Sequence, residues 1–153
     1  MMKISSEVIA SLRGKTLVTA ESLTGGGIGA ALTAVSGSSA VYKGGVISYT
    51  DWVKENILGV DGEVLKKNGA VSEPVARAMA EGVRKLLKAD AAVSVTGLAG
   101  PGGDDHGNPV GTVFIGYAGE QGSCVRQCLF FGSREEIRSQ TIMTALKLVL
   151  EMQ

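Results

Sequence analysis

Short apolar runs in this chain end in glycine and hydroxyl residues and are followed by helical patterns, and that alternation constrains the fold more than any other feature. Thr16 to Ala20 reads as a short buried strand. Glu21-Ser22-Leu23-Thr24-Gly25-Gly26-Gly27 is the polar glycine turn after it, and Ile28 to Val35 is the helix that follows. Ala91 to Val95 repeats the arrangement ahead of Thr96-Gly97-Leu98-Ala99-Gly100-Pro101-Gly102-Gly103. Units of this kind put their polar loops at the C-terminal ends of strands, where open α/β sheets bind ligands.

The other elements fill in around these two units. Ile4, Val8, Ile9 and Leu12 are spaced for one helical face ahead of Gly14. Ser36-Gly37-Ser38-Ser39 breaks the helix begun at Ile28. Gly45 to Tyr49 reads as a second strand, with Thr50 or Asp51 as N-cap of a short helix that holds Val53, Ile57 and Leu58 and stops at Gly59. Glu63 to Lys67 gives a further helical turn.

Ser72-Glu73-Pro74 is a helix start, with a capping hydroxyl, a first-turn acid and a proline that needs no intrahelical donor. That helix turns Val75, Ala78, Met79, Val83, Leu86 and Leu87 inward and runs to Lys88. Thr112 to Tyr117 and Cys124 to Phe131 form a hairpin around Gly119-Glu120-Gln121-Gly122, and Arg134 to Met152 is a long amphipathic helix. A hairpin joins antiparallel neighbours, whereas the earlier units call for parallel ones. The expected class is α/β, a three-layer α/β/α arrangement with a mixed, mostly parallel sheet, in a single domain over residues 1–153.

Fifteen Lys and Arg offset fifteen Asp and Glu. No global field therefore holds the chain on a polyanion, and neither nucleic acid nor membrane is expected as a partner. No apolar run is long enough to span a bilayer and the first residues lack the apolar core of a signal peptide, so a cytoplasmic protein is expected. Cys124 and Cys128 share one face of a strand, which suits neither a disulfide nor a metal site without a second ligand pair; they read as buried free thiols. No metal and no cofactor is expected. The 22 glycines cluster with the polar motifs, where tight turns and close ligand approach use them.

Ser22 sits where a helix-capping hydroxyl or a nucleophile would sit, beside amides that can face a phosphate or an oxyanion. The only histidine, His106, lies in a Gly/Asp/Asn/Pro stretch and reads as a solvated loop residue, so a serine nucleophile here needs a lysine base. Lys54 follows its strand by about one helical turn and can reach the same sheet edge. As a base it must be desolvated or lie near a positive charge, whereas helical patterning alone puts it on the surface. Lys43 competes, but its place before Gly44 and Gly45 assigns it to the far end of the strand.

Tyr42 and Tyr49 read as core tyrosines with rim hydroxyls or as ring-stacking groups, and Asp51 and Trp52 as cap and packing residues. Neither glycine loop carries the Gly-Lys-Ser/Thr of a Walker loop or the G-x-G-x-x-G of a dinucleotide fingerprint, which disfavours ATP hydrolysis and hydride transfer. Arg134 and Arg138 share a helical face, and Arg138 offers a phosphate two parallel donors.

The segments Glu21-Ser22-Leu23-Thr24-Gly25-Gly26, Val46-Ile47-Ser48-Tyr49-Thr50 with Lys54, Gly69-Ala70-Val71-Ser72-Glu73-Pro74-Val75-Ala76, and Thr96 to Gly103 followed by Pro109-Val110-Gly111-Thr112-Val113 resemble the CinA C-terminal domain family. That family contains the bacterial nicotinamide mononucleotide deamidases. The resemblance implies a three-layer α/β domain, a homodimer or higher homo-oligomer, and a small-molecule nucleotide substrate. It implies hydrolysis of the carboxamide of nicotinamide mononucleotide to the acid and ammonia by a serine/lysine dyad rather than a metal.

On this chain the family's nucleophile matches Ser22 and its lysine Lys54, while Thr24, Gly25, Gly26, Tyr49, Thr96, Gly97, Gly100 and Arg138 match pocket positions. Leu23 departs from the cysteine of many relatives, Gly27 from bulkier residues, and Gly132-Ser133-Arg134 from Gly-Asp-Arg, although Ser133 can still cap a helix. Two alternatives stay open: an amidohydrolase acting on another small amide or nucleotide, and a non-catalytic nucleotide-binding or assembly module.

Overall fold

A computed structural model describes residues 1–153. In chain order the elements are α1 (Met2–Ser11), β1 (Leu17–Glu21), α2 (Gly27–Thr33), a 3-10 turn (Ser38–Ala40), β2 (Tyr42–Ile47), α3 (Asp51–Asn56), α4 (Gly62–Asn68), α5 (Glu73–Leu86), β3 (Ala91–Gly97), β4 (Thr112–Gly119), β5 (Gly122–Leu129) and α6 (Arg134–Glu151). The strands form one sheet in the order β2-β1-β3-β4-β5. β1 pairs parallel with β2 and β3, and the β3–β4 and β4–β5 pairs are antiparallel. Four strands therefore run one way, with β4 reversed among them.

The sheet's side-chain alternation sorts the core into two layers. Leu17, Val93, Val95, Val113 and Ile115 pack with Val8 and Leu12 of α1, Ile28 and Leu32 of α2, and Ile137, Leu146 and Val149 of α6. On the other face Val18, Ala20 and Ala92 meet Leu65 of α4 and Val75, Met79 and Val83 of α5. All five residues of β1 are buried, as a strand covered on both faces requires. No helix is long and apolar enough to cross a membrane.

The connections place the site. α2 leads from β1 to β2 across one face, and α3 to α5 lead from β2 to β3 across the other. β1 and β2 are neighbours whose outgoing connections leave on opposite faces, which opens a crevice at the C-terminal ends of the strands, and β3 borders β1 on its other side. Glu21 stands opposite Val95 in the register, and the Ser22 amide donates to the Val95 carbonyl at 3.1 Å. The two glycine loops thus begin side by side.

Several details differ from the sequence reading. β2 begins at Tyr42 rather than Gly45. Gly44 and Gly45, which look like a loop in sequence, lie within this edge strand, and Gly45 leaves room for the Thr19 hydroxyl, which is hydrogen-bonded to the Tyr42 phenol at 2.7 Å. Ser72 does not cap α5, because its hydroxyl donates back to Gly69 O at 2.9 Å. Ser133 does cap α6, in a reciprocal capping box with Glu136. Cys124 and Cys128 are free but only partly buried, since β5 is an edge strand.

Candidate active site

The first glycine loop is held from beneath by a buried carboxylate. Glu21, the last residue of β1, is 2% exposed. It accepts hydrogen bonds from the Thr24 hydroxyl at 2.6 Å and from the amides of Ile28 at 2.8 Å and Gly29 at 3.0 Å. A carboxylate at a helix start offsets the positive end of the helix dipole and satisfies its free donors. The amides that sequence reasoning offered to a ligand at the start of α2 are therefore partly occupied by the protein itself. Gly25 and Gly26 adopt φ of 58° and 102°, which lets the chain turn sharply between Ser22 and α2.

Ser22 emerges at the head of this turn, and α3 delivers Lys54 to it. Lys54 Nζ lies 3.2 Å from Ser22 Oγ and donates to the Ser48 carbonyl at 2.8 Å. Lys54 is only 2% exposed and Ser22 7%. Helical patterning assigns Lys54 to the surface, but the face of α3 that carries it turns inward, and Leu58, two residues past the end of the helix, is buried as well. Trp52 lies two residues before Lys54 and so points away from that face; it is 65% exposed rather than packed. Asp51, three residues before Lys54, lines the same cavity.

Burial pushes the Lys54 amine below its ordinary value, and the Asp51 carboxylate pulls it partly back up. No carboxylate is paired with the amine, since the protein's two ion pairs join Arg77 to Glu73 and Arg126 to Glu151. The depressed value makes the unfolded chain bind more protons than the folded one between the folded pKa and the ordinary lysine value near 10.4. Stability should therefore rise with pH through that window. Chemical unfolding of wild type and Lys54→Met from neutral pH to about pH 10 should show their difference moving in favour of wild type; a pH-independent difference would contradict a depressed lysine.

The cavity at this edge measures about 340 Å³ and is lined by Ser22, Lys54, Tyr49, Asp51, Thr96, Gly97, Gly100 and Arg134, among others. That volume lies in the range of small-molecule sites. Hollows of about 520 and 620 Å³ open at the other end of the sheet, around Gly119 to Ser123, but neither brings a hydroxyl against an amine. No group of three or more His, Cys, Asp or Glu side chains lies together.

The positions singled out in the sequence separate into two sets. Tyr49, Thr96, Gly97 and Gly100 line the cavity with Ser22 and Lys54, and the Thr96 hydroxyl donates to Ala70 O at 2.9 Å. Thr24, Gly25, Gly26 and Arg138 do not line it. Thr24 turns its hydroxyl down to Glu21, and Gly26 borders a smaller hollow beside Glu21 and Tyr42. The guanidinium of Arg138 approaches Gly25 and donates to the carbonyls of Leu23 at 2.9 Å and Thr24 at 3.2 Å, so it braces the loop from behind.

Arg134, passed over in favour of Arg138, is the arginine that reaches the cavity. Ser48 was also missed: it supplies the carbonyl that orients Lys54, while its own buried hydroxyl has no protein partner. Nothing in the sequence marks a backbone carbonyl for such a role. His106 is exposed, as its polar surroundings predict.

The family model of the CinA C-terminal domain matches residues 2–153. The chain belongs to the CinA C-terminal domain family. This CinA domain is 48% identical over 148 residues to a CinA-like protein of Parasynechococcus marenigrum, covering 94% of this chain and 35% of that protein. It is 52% identical over 122 residues to a CinA-like protein of Prochlorococcus marinus, covering 80% and 28%. The chain thus spans about a third of the length of these curated relatives.

Among solved structures, the competence damage-inducible protein A of Klebsiella pneumoniae superposes with a TM-score of 0.95 at 36% identity, over 98% of this chain and 94% of that one. The competence/damage inducible protein CihA of Agrobacterium tumefaciens gives 0.94 at 38% identity, over 98% and 93%. The three-layer CinA fold and the mixed sheet expected from the sequence are both present.

Proposed function

We propose that this domain hydrolyses the carboxamide of nicotinamide mononucleotide to nicotinate mononucleotide and ammonia, with Ser22 as nucleophile and Lys54 as its base. One observation carries the chemistry: a buried amine, depressed in pKa and free of any carboxylate partner, lies 3.2 Å from a serine hydroxyl in a cavity. A neutral lysine has one lone pair and two N–H groups. The bond to Ser48 O uses one N–H and leaves the lone pair for the Ser22 proton. The substrate comes from the resemblance of the loop motifs to a family that contains nicotinamide mononucleotide deamidases.

In the first half-reaction Ser22 Oγ attacks the amide carbon as its proton passes to Lys54 Nζ. The carbonyl oxygen takes the negative charge and needs donors. The Ser22 amide is committed to Val95 O and the Gly25 amide to Ser22 O, whereas the amide of Leu23, a residue of the cavity wall, makes no backbone hydrogen bond and is free to serve. Lys54 then gives its proton to the departing nitrogen, the C–N bond breaks, and ammonia leaves an acyl ester on Ser22. Water, deprotonated by the same amine, attacks the ester; the acid departs and Ser22 recovers its proton.

Incubating the domain with nicotinamide mononucleotide should release nicotinate mononucleotide and ammonia in equal amounts. Absence of both products from folded protein would reject the reading. The pH profile tests the base separately. Activity should rise with pH as Lys54 loses its proton, and because Asp51 raises that pKa, Asp51→Asn should move the acid limb of kcat/KM to lower pH. A limb that stays in place or moves to higher pH would remove Lys54 from this role.

A further inference from the structure

We propose that Glu21 is the positioning residue of the dyad, the group that holds the Ser22 hydroxyl in register with the Lys54 amine from outside the cavity. The inference rests on the amide-hydrolysis reading and adds what fixes its geometry. Glu21 reaches both partners at once. Its side chain takes three hydrogen bonds, all from the turn and helix start that follow Ser22: Oε1 accepts from the Thr24 hydroxyl and the Ile28 amide, and Oε2 from the Gly29 amide. Its main-chain carbonyl accepts from the Ser48 amide at 2.8 Å, and the Ser48 carbonyl in turn accepts from Lys54 Nζ at 2.8 Å. With Lys54 Nζ 3.2 Å from Ser22 Oγ, these bonds close a ring through nucleophile, base, Ser48 and Glu21.

The ring needs the carboxylate itself. All three partners of the side chain are donors, and an ionised carboxyl group offers only acceptors. A glutamine amide, in either flip, would turn an N–H towards the Ile28 or the Gly29 amide. Glu21 is buried, so bulk water does not replace a bond lost there. The turn also has little else to keep it in place. Gly25 and Gly26 give it a left-handed backbone, and a hollow of about 140 Å³ bordered by Glu21 and Gly26 leaves space into which it can relax. Arg138 grips the carbonyls of Leu23 and Thr24 from behind but makes no bond to Ser48 or Lys54. Since misplacing a reacting group by about 1 Å costs on the order of 100-fold in rate, the link through Glu21 bears directly on turnover.

The test reads kcat and KM for nicotinamide mononucleotide separately in wild type, Glu21→Gln, Thr24→Val, Thr24→Ser and the Glu21→Gln/Thr24→Val double variant, each at a temperature where thermal unfolding shows it folded. Glu21→Gln should lower kcat on the order of 10- to 100-fold while KM stays within about threefold of wild type. Thr24→Val, which cuts one of the three bonds, should lose part of that rate, and Thr24→Ser, which keeps the hydroxyl, should recover most of the loss. The double variant should be no slower than Glu21→Gln, because both changes cut the same link. A folded Glu21→Gln with a lowered Tm and the kcat of wild type would make the carboxylate a helix cap and nothing more. Should Glu21→Gln fail to fold, the Thr24 variants decide, and Thr24→Val as fast as Thr24→Ser overturns the assignment.

A second measurement does not depend on the substrate: the rate at which a fluorophosphonate labels Ser22, its oxygen bonding to phosphorus as fluoride leaves. Should wild type be labelled but release no ammonia, the substrate reading alone fails. Labelling slowed in Glu21→Gln and Thr24→Val and recovered in Thr24→Ser then upholds the role of Glu21, and equal labelling across the series overturns it. A wild type that neither turns over nor labels overturns both.

Discussion

Ser22→Ala is expected to lower kcat for carboxamide hydrolysis by about 10³-fold or more, and Lys54→Ala to do the same, with both proteins still folded. Loss of either member of a nucleophile and base pair that act together removes most of what the pair supplies, so the double variant should be little worse than either single one. The Ser22 hydroxyl has Lys54 as its only side-chain partner, so its removal should change stability by no more than about 1 kcal/mol. Lys54→Arg is the sharper control. It keeps a long cation at the position but cannot give up its proton at any ordinary pH, so it should be as inactive as Lys54→Ala. Single-turnover assays beside circular dichroism check this; turnover by Lys54→Arg within tenfold of wild type would mean that the amine orients or neutralises charge without taking a proton.

Parts of this arrangement were legible in the residues, for identifiable reasons. β1 and β3 announce themselves because strands buried on both faces are mostly apolar, with few polar residues among them, and the glycine and hydroxyl residues after them mark where the chain leaves the sheet. The start of β2 was hidden because an edge strand with alternating half-burial tolerates Gly44 and Gly45, which resemble a loop. The choice between Arg134 and Arg138 could not be made from spacing, since residues four apart share a helical face. Arg138 lies next to the buried Ile137 and is drawn into the body of the protein, while Arg134 sits in the first turn, free to reach Tyr49 and Gly100. The burial of Lys54 contradicts residue-type expectation, and a helix as short as α3, with no buried residue but Lys54, carries no apolar stripe to mark which face turns inward.

Gly82 lies in the interior of α5 and drew no notice in the sequence, yet a methyl group there should be among the most damaging small changes to the fold. In an exposed helix interior, alanine in place of glycine adds about 1 kcal/mol of stability. Here the added carbon would fall against the carbonyl oxygen of Leu58, with the Leu58 carbonyl carbon at 3.1 Å and its Cα at 3.6 Å. The obstacle is backbone, so no rotamer change relieves it. α5 cannot retreat either, because Val75, Met79 and Val83 pin it to the sheet.

Gly82→Ala should therefore reverse the usual sign and destabilise the domain by about 3 kcal/mol, as overpacking of a close contact does, lowering Tm by roughly 6–12 °C for a chain of this size. The displaced segment matters for chemistry as well. The Leu58 amide donates to Val53 O and the Val60 amide to Lys54 O, so pushing Leu58 outward tilts the end of α3 that carries the amine. At temperatures where the variant remains folded, turnover should fall while the far end of the sheet is undisturbed. A Tm equal to or above that of wild type would show that α5 and Leu58 separate at little cost, and would remove the rigid backing on which the depth of Lys54 depends.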